Sequence, residues 1–141
     1  MNRAEHFARV IARVRERPNL VAHDEIAPLN ADGTIVRASY VVMHDLGADD
    51  VGDKRYTAPR RPEEGQTLRV VARCVGVDAN ACRKVADAVI GQLSGWTPSV
   101  PGRSCEPLKV DEVGDVTPDK TVSPPLPYID VDFTYRSNQG A

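Results

Sequence analysis

The sequence predicts an α+β fold: a mainly antiparallel sheet, two helices packed on one of its faces, and a long loop between two of its strands. Three observations carry the prediction. Residues 67–96 read as a strand, a short turn and an amphipathic helix in immediate succession. Residues 3–17 carry a second helical stripe, and residues 34–44 and 128–136 alternate with the period of a strand. A helix with a narrow apolar stripe needs a sheet to cover, and the strand just before the second helix supplies the first ribbon of it.

In the first helix Phe7, Val10, Ile11 and Val14 share a face, and Pro18 ends the run. Arg9, Arg13 and Arg17 form a basic stripe beside Glu5 and Glu16; it reads first as a solvated surface and second as a contact for an acidic partner. Residues 19–28 suit a short strand or extended segment, and Asp32-Gly33 suits a hairpin turn. In the strand at 34–44, Val36, Ala38, Tyr40 and Val42 make one face and Ile35, Arg37, Ser39, Val41 and Met43 the other, so both are partly apolar.

Residues 45–66 set Gly, Pro, Asp and Arg around a single aromatic, Tyr56, too little apolar surface to fold alone, and they are expected to form a flexible arm. Its first half is acidic (Asp45, Asp49, Asp50, Asp53) and its second basic (Lys54, Arg55, Arg60, Arg61). Arg55, Tyr56, Arg60 and Arg61 are the expected partner contacts, because Arg and Tyr are enriched at interface hot spots.

In the next strand Leu68, Val70, Ala72 and Cys74 alternate with Arg69, Val71, Arg73 and Val75, and Gly76 ends it. Asp78 or Asn80 caps the following helix, whose Cys82, Val85, Ala86, Val89 and Leu93 form the buried stripe before Gly95 and Pro98 stop it. Seven of the eleven prolines then fall between Pro98 and Pro127, which limits that stretch to a short strand at 105–113 and an irregular connection at 114–127. Residues 128–136 are the cleanest half-buried strand, and 137–141 are expected to be a loose tail. Helices on one face leave apolar residues of the other uncovered. Val41, Met43, Val71 and Val75, taken to share that second face, are therefore the expected subunit interface.

At 141 residues the chain suits a single domain, 1–141. A net charge of −2 gives no general affinity for nucleic acid or membrane. No apolar run approaches the ~18 residues that span a bilayer, and the N-terminus has no signal-peptide core, so a cytoplasmic origin is expected. Cys74, Cys82 and Cys105 have no metal-ligand spacing, and Cys74 and Cys82 read as small buried hydrophobes. No phosphate-cradling glycine loop, HExxH, GxSxG or Cys/His cluster occurs. His6, His23 and His44 fall on separate elements. Asp130 and Asp132 share a strand face about 7 Å apart, a spacing open to a divalent ion or to acid–base work, though alternating acids on a solvated strand are the commoner case. The pattern predicts no enzyme, no cofactor and no metal site. A small cytosolic ligand-binding module or enzyme using Asp130 and Asp132 is the alternative.

The order helix, strands, long loop, strand, helix, strand, strand resembles that of the tail terminator, or tail completion, proteins of long-tailed siphovirus bacteriophages. Two stretches carry the likeness: VVARCVG followed by DANACRKVADAVIGQLSGW at 70–96, and the proline-containing approach to the last strand from Asp119 to Phe133, with PPLPY before alternating Asp130, Asp132 and Phe133. The resemblance implies a virion protein, made in the host cytoplasm, that forms a homo-hexameric ring on the end of the tail tube. Such a ring stops tube polymerisation and joins the tail to the head-tail connector; another neck component is the neighbouring possibility. Its partners would be copies of itself, the tail tube protein and connector proteins. DNA would pass through the lumen without specific binding, with Asp130 and Asp132 as candidates for the lumen face.

Overall fold

The computed structural model describes residues 3–50 and 65–140. In chain order the elements are α1 (Arg3–Arg15), β1 (Ala22–Asp24), β2 (Tyr40–Asp50), β3 (Gly65–Val75), α2 (Ala79–Leu93), β4 (Arg103–Cys105), β5 (Lys109–Val113), β6 (Thr117–Asp119) and β7 (Leu126–Gln139). The α+β class holds, with two helices on one face of a mostly antiparallel sheet of seven strands. The sheet runs β1-β2-β3-β7, and β4, β5 and β6 pair with successive parts of the far edge of β7. Among the described residues β1 alone pairs in parallel, with β2.

The sheet faces follow from the alternation. Leu68, Val70, Ala72 and Cys74 of β3 and Ile129, Val131, Phe133 and Tyr135 of β7 point to the helices, where they meet Val10, Ile11 and Val14 of α1 and Cys82, Val85, Ala86, Val89 and Leu93 of α2 in one core. α2 begins where expected: Asp78 is the N-cap, and its carboxylate accepts from the Ala81 N–H at 2.8 Å. Gly76 is required just before it. A Cβ there would stand 2.6 Å from the Cys82 nitrogen and 2.7 Å from the Ala81 Cβ, so the turn from β3 into α2 closes only around a hydrogen. The two helices are tied side by side by Arg13, whose Nε donates to the Gln92 carbonyl at 3.0 Å while Gln92 Nε2 donates back to the Arg13 carbonyl at 2.8 Å.

Several expectations change. The strand predicted at 34–44 begins at Tyr40 and runs to Asp50, and β3 begins at Gly65, so both ends of the predicted 45–66 arm belong to the sheet, paired as far as Asp50 with Gln66. The remainder of that arm lies outside the described residues. The tail predicted from 137 is strand through Gln139, and Ser137 is fully buried.

The largest correction concerns Val41, Met43, Val71 and Val75. Val41 pairs with Cys74 and Met43 with Ala72, which puts both on the helix side, where each is 0% exposed. Val71 and Val75 lie on the opposite face, across from His44 and Tyr40. The four residues thus form no common patch, and Val41 and Met43 are core. Val75 is itself buried with Tyr40, Val42 and Leu126 in a second, smaller cluster closed by Ala27, Ile35, Val122 and Tyr128. The chain's own segments around 27–35 and 122–128 cover this end of the second face, so no neighbour is needed there.

Truncating Met43 to alanine should accordingly cost the isolated subunit about 2–5 kcal/mol in urea unfolding, as for a large core side chain. An interface residue would leave the stability of the separated subunit unchanged.

Candidate functional site

The second sheet face is where side chains meet outside the main core. Arg73 projects there from the middle of β3. Its Nε and Nη2 donate to the two oxygens of Asp130, directly across on β7, at 3.0 and 3.1 Å, and its guanidinium lies 4.1 Å from the centre of the Tyr128 ring. The two-pronged bond and the stacking hold Arg73 flat over the sheet. The Asp130 partnership in turn holds the arginine's pKa above its ordinary value.

Beside this pair opens a cleft of about 200 Å³. Its floor is Tyr40, Val42, Val75 and Leu126, and its rim carries Glu25, His44, Arg73 and Asp119. Small-molecule sites run from roughly 300 to 1,000 Å³, so this cleft is sized for one side chain rather than for a metabolite. Glu25 is fixed at the rim: Oε1 accepts from the Asp45 N–H at 2.7 Å and Oε2 bonds to His44 Nδ1 at 3.0 Å. The Asp45 N–H is the main reason that the Glu25 carboxyl sits below its ordinary pKa; burial opposes the shift and His44 adds to it.

Asp130 and Asp132 both lie on this face, as expected of alternate residues. They do not act as a pair. Asp130 is paired with Arg73, whereas the Asp132 carboxyl is pushed up, first by burial and then by Glu112, with Asp130 and Asp111 adding to it and Arg69 opposing. Among the described residues no group of three or more His, Cys, Asp and Glu side chains could hold a metal ion. Arg55, Tyr56, Arg60 and Arg61 lie outside the described residues.

A second constellation escaped the sequence reading. His6 of α1 and Ser137 of β7 are both 0% exposed, with His6 Nε2 2.8 Å from the Ser137 hydroxyl. Arg103 of β4 donates from Nε to that hydroxyl at 3.0 Å and from Nη2 to the Ser137 carbonyl at 2.7 Å, and the Cys105 thiol approaches the hydroxyl at 3.7 Å. Which of the two donates depends on the His6 tautomer; with Arg103 and Cys105 donating to the hydroxyl oxygen, a tautomer whose Nε2 accepts the hydroxyl proton suits the arrangement. The contact has the reach of a nucleophile and base, but both groups are sealed from solvent, and a nucleophile must meet a reactant. It acts as a clasp between α1 and the end of β7. The nearby Tyr135 hydroxyl is buried without a hydrogen-bond partner among the described residues, and its pKa is raised mainly by burial.

No protein-family model matches the chain, and comparison with curated proteins finds no match. Among the described residues no helix is long and apolar enough to cross a membrane.

Two expectations follow. Ser137→Ala should destabilise by about 1–3 kcal/mol, because it removes the hydroxyl that bonds to buried His6 and half-buried Arg103, whereas Tyr135→Phe should be neutral or stabilising, because it removes a buried hydroxyl with no partner among the described residues; chemical denaturation of the two variants reads the contrast. The Glu25 contribution has a definite pH sign. A carboxyl whose folded pKa is depressed stabilises above its ordinary value of 4.5, and that stabilisation is lost as pH falls through the folded value. The melting temperatures of the wild type and Glu25→Gln should therefore differ at neutral pH and converge as pH is lowered below that value.

Proposed function

We propose that the chain is a structural protein of a long-tailed phage, a tail terminator that forms a six-fold ring on the end of the tail tube, stops its growth and joins it to the head connector. The observation that carries this reading is the order of elements, α1, β1, a paired β2 and β3 joined through residues 51–64, then α2, short edge strands and β7. Within that order, the end of β3 and α2 fall in 70–96 and the first part of β7 falls in 119–133, the two stretches on which the resemblance to the terminator family rests. The side-chain chemistry is compatible with it: the buried His6–Ser137 contact has no access for a substrate, and the cleft beside Arg73 is sized for one side chain of a partner. The number six comes from the resemblance alone. DNA passes through such a ring without a specific site, and another layer of the neck is the neighbouring reading.

The test is to add the purified chain to tail-tube protein encoded beside it while the tubes are growing. Tube length should become fixed at a value that falls as more chain is added, and electron microscopy should show a six-fold ring on one end. Tubes that grow unchanged, with no chain sedimenting with them, would falsify the reading.

A further inference from the structure

The cleft beside Arg73 has an apolar floor and a charged mouth. Glu25 is held in that mouth against backbone strain: its φ of 65° is a left-handed conformation that a glutamate seldom adopts, and its N–H is fixed to the Met43 carbonyl at 2.9 Å. Asp119 faces the same space, and its charge adds to burial in pushing the Tyr40 hydroxyl above its ordinary pKa. Oδ1 of Asp119 accepts from the Thr121 N–H at 3.0 Å and from the Thr121 hydroxyl, and among the described residues no cation bonds to this carboxylate. Arg73 gives its bonds to Asp130, so one guanidinium stands against three carboxylates, Glu25, Asp119 and Asp130. His44 brings a hydrogen bond to Glu25 and no permanent charge. Neither Arg37 nor Lys120 lines the cleft, and Arg37 donates to the Pro124 carbonyl at 2.7 Å. Apolar surface continues outside the mouth. Ile26, between Glu25 and Ala27, is 74% exposed, and Leu29, bridged to Ile35 of the cleft wall, is 61% exposed.

We propose that this cleft takes the lysine side chain of a partner protein, its aliphatic stem laid along Tyr40, Val42, Val75 and Leu126 and its ammonium at the rim with Glu25 and Asp119. Lysine is the side chain that buries a long apolar stem while keeping a cation at a polar edge, and a cleft of about 200 Å³ holds one such group. An arginine fits the rim less well, because a guanidinium fork needs a carboxylate with both oxygens turned to it. Both oxygens of Glu25 are already engaged, by the Asp45 N–H and by His44, and Oδ1 of Asp119 is engaged by Thr121. An ammonium is a compact charge with three donors and bonds to the single lone pairs that remain. The occupant belongs to a protein because a free amine would leave Ile26 and Leu29 in water, whereas the residues flanking a partner's lysine cover them. The site is a property of the folded subunit alone and does not depend on the ring.

The test is an NMR titration of the isotope-labelled full chain with the blocked peptide acetyl-Leu-Lys-Leu-amide, followed at the backbone amides of Tyr40, Val42 and Val75. Three further probes are the same peptide with norleucine, which keeps the stem and lacks the charge, the same peptide with arginine, and lysine amide alone. The lysine peptide should shift the cleft amides to saturation, and the norleucine peptide should bind at least about fivefold more weakly. In a chain carrying Glu25→Gln with Asp119→Asn the two peptides should bind within about twofold of one another, which ties the preference to these carboxylates. Melting curves confirm that the variant is folded; Asp119→Asn alone leaves the Glu25 bonds in place and should lose part of the same preference. Cleft amides that stay still at millimolar lysine peptide overturn the proposal. So does a norleucine peptide that binds equally well, which makes the occupant apolar, or an arginine peptide that binds as tightly. Lysine amide that binds as tightly as the peptide makes the occupant a free amine and overturns the docking of a protein. Tail tubes do not enter the measurement, so each of these failures leaves the ring reading standing.

Discussion

The antiparallel ladder between β3 and β7 is the constraint on which the rest of the molecule depends. It runs without a register shift from Gly65 opposite Asn138 to Val75 opposite Tyr128. Because side chains alternate with a period of two, this single register decides two surfaces at once. On one side it sets Val70 beside Phe133 and Ala72 beside Val131, the floor on which both helices rest; on the other it sets Arg73 against Asp130. A slip of one residue would bury the arginine and expose the core.

Much of this was legible in the sequence, and the reason is periodicity. The stripe of α2 and the alternation of β7 are long, regular patterns, and each was located within two or three residues. Alternation within one strand, however, does not say which of its faces joins which face of its neighbour. Val41 and Met43 were therefore placed beside Val71 and Val75 when the pairing with Cys74 and Ala72 puts them on the other side. The second small cluster was invisible for another reason: Ala27, Ile35 and Val122 lie in segments with no repeating pattern.

The site was less legible than the fold. Asp130 could be placed on a strand face from sequence, but its partner lies 57 positions away and is chosen by the ladder. The clasp spans 131 positions. One signal for it was present: His6 precedes Val10 and Val14 at helical spacing, so it belongs to the apolar stripe of α1, and Ser137 continues the alternation of Val131, Phe133 and Tyr135. A histidine and a serine, each at an apolar position, could have been matched to one another as buried groups that require partners.

β7 is central in the sheet and follows every other element in the chain. β4, β5 and β6 have β7 as their sheet partner, β3 has β2 on one side alone until β7 arrives, and His6 awaits Ser137. On a ribosome, translation must therefore pass residue 139 before the sheet can close, and until then the nascent chain presents an incomplete core of high contact order. The timing of synthesis thereby decides when the chain stops presenting open strand edges: the strand that completes the fold is also the last to leave the ribosome.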